Sequence, residues 1–125
     1  MNTFDEQVRR LRAAYERVEV HDVAGGSRWI SVAPIALPHG WNQVSTAVVF
    51  VAPAGFPMSQ PDCFWADAGL RLGSGAMPAN SGVNADYGGS EQRLWFSYHP
   101  STWNPNTDDL VRYVNITCKR LNEAR

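Results

Sequence analysis

Residues 55–65 read Gly-Phe-Pro-Met-Ser-Gln-Pro-Asp-Cys-Phe-Trp. Pro57 and Pro61 each fix φ and each remove a backbone donor, so no helix or strand runs through the pair undisturbed. The stretch therefore closes one strand and opens another. Before it lies Val44–Ala52, the run richest in β-branched residues. Behind the second proline, Asp62–Ala66 predicts a short strand carrying Cys63, Phe64 and Trp65.

Working upstream, the chain keeps a period of two. Arg17–Asp22 alternates around Val18 and Val20, Ala24-Gly25-Gly26-Ser27 turns, and Arg28–Ala33 resumes with Trp29 and Ile30. That pattern predicts a hairpin. Pro34, Pro38 and Gly40 then interrupt the alternation before Val44. Ahead of the strands, Phe4, Val8, Leu11 and Tyr15 form one apolar stripe and predict a helix over Thr3–Glu16. Thr3 and Glu6 make a capping box, and Asp5 and Glu6 suit the positive helix end. Arg9, Arg10 and Arg12 fall off the stripe and read as a basic, solvated face.

Downstream, residues 69–90 are rich in Gly, Asn, Ser and Ala without periodicity, which predicts a long irregular loop and a flap over a groove. Leu94–Tyr98 is a brief apolar patch ending at His99-Pro100. Leu110, Val114, Cys118 and Leu121 share one face of a final helix over Thr107–Glu123, with Thr107 or Asp108 as its cap. The order is helix, four-stranded antiparallel meander, long loop, helix: a single α+β domain.

Composition narrows the function classes. The chain has 125 residues, 44% hydrophobic and 18% charged, with a formal net charge of −1 and a pI near 6.3. That is the balance of one globular domain and offers no basic footprint for nucleic acid. No apolar run approaches a membrane span. The opening MNTFDEQVRRLR has no apolar signal region, which predicts a cytoplasmic protein. Reduced thiols at Cys63 and Cys118 then fit better than a disulfide. His21, His39 and His99 with these two cysteines lack metal-ligand spacing. Gly73-Ser74-Gly75 lacks the lysine of a phosphate loop. No cofactor is expected.

Phe56-Pro57-Met58-Ser59-Gln60-Pro61-Asp62-Cys63-Phe64-Trp65 is similar to the Tyr-Pro-Phe-x-x-Pro-Pro turn and subsequent strand of ubiquitin-conjugating enzymes. Trp103-Asn104-Pro105 with Asp109-Leu110 is similar to their Trp-Ser-Pro, which opens the helix behind the active site. Together with Trp29-Ile30-Ser31-Val32, Pro38-His39-Gly40-Trp41 and Phe96-Ser97-Tyr98-His99, these segments resemble the prokaryotic ubiquitin-conjugating-like family E, over residues 4–121. The resemblance implies the ubiquitin-conjugating (UBC-like) fold and a place in a bacterial ubiquitin-like protein pathway. It also implies partners: an activating-enzyme homologue, a ubiquitin-like protein and a JAB-type protease. Trp65 and Trp103 read as anchors between sheet and helix.

One departure matters. The thiolate that holds the modifier as a thioester in those enzymes stands about eight residues before the tryptophan, a count that ends here at Trp95. No cysteine lies between Phe64 and Thr117. Cys63 is either a relocated nucleophile or a small core residue whose burial raises its pKa. His99 either acts as a general base or orders its own loop. Ser97 has no elbow motif around it. In this fold the first helix is where activating enzymes dock, which would assign Arg9, Arg10 and Arg12 to that contact. Three readings stay open: a pathway component, a catalytically inert adaptor, or a transferase working through Cys63.

Overall fold

Two hydrogen bonds tie the proline-rich stretch to the C-terminal part of the chain. The Trp103 indole donates to the Pro57 carbonyl at 2.7 Å, and the Tyr113 hydroxyl donates to the Cys63 carbonyl at 3.0 Å. Around this junction the computed structural model, which describes residues 3–86, 91–99 and 102–125, builds a sheet with two helices on one face.

The elements are α1 (Phe4–Ala14), β1 (Arg17–Asp22), β2 (Arg28–Ala36), β3 (Ser45–Ala52), β4 (Phe64–Ala66), β5 (Ser81–Ala85), β6 (Gln92–Phe96) and α2 (Leu110–Leu121). The sheet is antiparallel in the order β1-β2-β3-β4-β6-β5. The α+β class, the terminal helices and the first four strands agree with the sequence reading, and the meander gains two strands. Residues 69–90 are thus only partly irregular. They contain β5, whose Gly82 and Asn84 carry little strand propensity of their own; pairing with β6 makes the strand. Arg71 is also pinned rather than free: its N–H donates to Asn42 Oδ1, and the Asn42 N–H donates back to the Arg71 carbonyl, both at 2.9 Å. The rest of the expected flap, residues 87–90, lies outside the described residues. The apolar patch at 94–98 corresponds to β6.

Other boundaries shift for local reasons. β2 continues past Pro34 to Ala36 because the register slips between Val32 and Ile35, leaving the exposed proline without a ladder bond to lose. α1 starts as expected, with Thr3 Oγ1 accepting from the Glu6 N–H. α2 begins later. Asp109 is its cap, accepting from the Arg112 N–H at 2.9 Å, while Asp108 Oδ2 accepts from the Asn104 N–H and holds the turn ahead of the helix.

The core lies between sheet and helices. Leu11 from α1, Leu110, Tyr113, Val114 and Leu121 from α2, and Ile30, Val32, Phe50, Phe64, Leu94 and Phe96 from the strands are all buried there. The 2.0 period sends the alternate residues to the opposite face, where Trp29, Val49, Cys63 and Trp65 form a second, smaller cluster with Val51 and Trp95 packed on it.

Candidate functional site

Trp95 stands in the middle of β6, paired with Trp65 of β4 on one side and with Gly82 of β5 on the other. A nucleophile needs a loop or a groove that lets an acyl group approach. This position is instead a strand residue whose indole packs against the small cluster on the helix-free face.

Cys63 belongs to the same cluster. It immediately precedes β4 and is 6% exposed. Burial pushes its thiol above the ordinary 9.0; a hydrogen bond with Trp95 works against that rise and the Asp62 charge adds to it. The thiolate is therefore disfavoured, opposite to what a nucleophile needs. Cys118 on α2 is half-buried, and burial raises its thiol as well, opposed by hydrogen bonds with Tyr15 and Thr117. Both cysteines are free.

His99 is exposed just beyond β6. Nothing in the described residues joins it to Ser97, Asp108 or Asp109. The Ser97 N–H donates to the Asn80 carbonyl, so that residue continues the backbone pairing beyond β6. Among the described residues no three His, Cys, Asp or Glu side chains converge as a metal site.

The model of the family described as Prokaryotic E2 family E matches residues 5–124. The chain belongs to that family. No curated protein and no solved structure matches it. Membership in family E agrees with the UBC-like layout of sheet and helices and supports a role in a ubiquitin-like conjugation pathway. No helix among the described residues is long and apolar enough to cross a membrane.

The arginines of α1 divide into three situations in this family E chain. Arg9 is exposed and makes no ion pair among the described residues. Arg10 reaches across to the cap of α2, its Nη1 lying 2.9 Å from Asp109 Oδ2. Arg12 points Nε and Nη2 at the Val18 carbonyl, each at 3.4 Å. Arg10 and Asp109 also line a polar pocket of about 320 Å³ with Gln7, Pro57, Pro105 and Asp108. Gln7 Oε1 accepts from the Leu110 N–H inside this junction.

The sequence reading did not single out the buried charges. Arg93 Nε lies 2.6 Å from Asp86, whose side chain is fully buried. Arg120, 2% exposed, donates to the carbonyls of Ala79, Glu123 and Arg125 and stacks on Phe96 at 5.0 Å. Its spacing on α2, four residues after Ile116 and three after Thr117, both buried, was the available signal.

Proposed function

We propose that this chain works in a bacterial ubiquitin-like conjugation pathway as a non-covalent E2-like adaptor, holding the ubiquitin-like protein and its activating enzyme without carrying a thioester itself. The observation that supports the reading is Trp95, the residue to which the spacing from Trp103 assigns the cysteine position of conjugating enzymes, standing within a strand and paired with Trp65. The raised thiols of the buried Cys63 and the half-buried Cys118 support it further.

Activating-enzyme contact is assigned to the exposed side of α1, with Arg9 and the outer part of Arg12 as its charged groups. Arg10 contributes through its ion pair with Asp109 and is the poorer probe, because reversing its charge also disturbs α2. A JAB-type protease is a further partner on this reading.

The test is intact mass after incubation with the activating enzyme, the ubiquitin-like protein and ATP, with and without reductant. The expected result is a charged activating enzyme, no adduct on this chain, and a stable non-covalent complex. A reductant-sensitive adduct that disappears in Cys63→Ser overturns the adaptor reading and makes Cys63 a relocated nucleophile. Arg9→Glu is expected to weaken activating-enzyme binding; unchanged affinity removes α1 from the contact.

A further inference from the structure

The two edges of the sheet are built differently. β1, at one edge, exposes Arg17, Glu19, His21 and Asp22. The Val23 N–H donates to the Ser27 carbonyl in the register of the β1–β2 ladder. With a period of two, the odd residues of β1 then bond to β2 and Val18 turns its carbonyl outward. Arg12 covers that carbonyl. Charges and a capped carbonyl both keep a strand edge from pairing with another chain.

β5, at the other edge, has neither. Residues 72–85 contain no charged side chain. Just beyond the ends of the strand, the Asp86 N–H donates to the Glu91 carbonyl at 3.0 Å and the Ser97 N–H to the Asn80 carbonyl at 2.9 Å. Both bonds continue the β5–β6 register. Gly82 and Asn84 therefore bond to β6, while Ser81, Val83 and Ala85 turn their N–H and C=O groups outward. Among the described residues no backbone group meets this outward row. Val83 is 47% exposed, and Asn84 and Ala85 are exposed beside it.

The row is complementary to itself. A two-fold axis at Val83 brings that residue opposite its own copy, Ser81 opposite Ala85, and Gly82 opposite Asn84. Every outward N–H and C=O of the three residues then finds a partner. Gly82 has open space where a Cβ would stand, so an asparagine across from it meets no obstacle, and no like charges face each other. We propose that β5 is a homodimerisation edge, joining the six-stranded sheets of two copies of this chain into one continuous antiparallel sheet. The axis runs perpendicular to the sheet and keeps the helices of both copies on the same face. An edge about 17 Å long buries well under the ~1,200 Å² of a stable interface, so the dimer is reversible. This edge is separate from the exposed side of α1 and does not depend on the adaptor reading.

The test is NMR of the isotope-labelled full chain between about 0.03 and about 3 mM, reading the tumbling time and the amide signals. Half-dimerisation is expected at about 0.1–1 mM, with concentration-dependent shifts largest at Ser81, Val83 and Ala85. Val83→Lys, which sets two ammonium groups opposite each other, should remove the association and leave the urea midpoint nearly unchanged. Val83→Glu should do the same. An equal mixture of these two variants at low salt should associate at least about fivefold more tightly than either alone, a rescue that damaged folding cannot produce. A tumbling time independent of concentration up to about 3 mM overturns the proposal and leaves the edge to a strand of another protein. Association that survives Val83→Lys, shifts centred away from β5, or a mixture no tighter than its components overturns it as well.

Discussion

Cys63 has the chemistry of a nucleophile and the surroundings of a core residue, and its surroundings decide how it behaves. With 6% of its surface exposed and its thiol pushed upward by burial, it should react with iodoacetamide at pH 8 at least about tenfold more slowly in the native chain than in urea. Mass spectrometry of the 55–65 peptide over time checks this; equal rates would mean the thiol is open. Gly40 makes a sharper demand on its position. Its φ is +114°, and an added Cβ would stand 2.6 Å from that of Ala124. Gly40→Ala therefore meets both backbone strain and a collision, and should cost about 1–3 kcal/mol, read as a lower urea midpoint. Gly82, which has open space at its Cβ and no positive φ, should accept alanine with little change. In the sequence both are simply glycines in weakly patterned segments; only the backbone distinguishes them.

The start of α2 concentrates several local interactions on one aspartate. Asp109 caps the helix through the Arg112 N–H and pairs with Arg10 of α1. Losing the cap should dominate: Asp109→Ala is expected to cost about 1–2 kcal/mol. The ion pair is half-exposed on the Arg10 side, so Arg10→Ala should cost at most about 1 kcal/mol. A double-mutant cycle by urea denaturation separates the two; a coupling larger than the effect of Arg10→Ala alone would contradict the assignment. The helix itself was legible from Leu110, Val114, Cys118 and Leu121, but its first residue was not. Thr107, Asp108 and Asp109 are all good caps by type, and the choice fell to Asp109 because Asp108 is occupied with Asn104. β5 is the opposite case. Its residues favour no strand by themselves, and the hydrogen bonds come from β6.

For the molecule as a whole, the buried acids set an alkaline limit. Tyr113 is driven far above the ordinary 10.0, chiefly by burial and then by Cys63, Asp62 and Tyr98. Tyr15, Cys63 and Cys118 shift the same way, each chiefly through burial. These groups hold their protons in the folded chain at a pH where the unfolded chain has lost them. Their contribution is present in full below the unfolded values of 9.0 and 10.0 and is lost as pH rises through and beyond them. The urea midpoint should therefore fall between about pH 8.5 and about pH 10.5, and Tyr113→Phe with Cys118→Ala should flatten that fall. A midpoint independent of pH over this range would mean the phenol and thiols are solvated.

Several features were fixed by local chemistry. The stripe Phe4, Val8, Leu11 and Tyr15 specifies α1, the alternation around Val18, Val20, Trp29 and Ile30 specifies the first hairpin, and Pro57 with Pro61 separates β3 from β4. Those patterns, with the order of the Trp, Pro and Phe segments, were enough to place the chain in its family. What the sequence could not decide depends on contacts between distant residues. The pairing of β6 between β4 and β5, the burial of Cys63 on the helix-free face, and the hold of Asp109 on Arg10 all arise only when the sheet closes. Propensity and periodicity describe neighbours a few residues apart; these interactions join residues that become neighbours through folding.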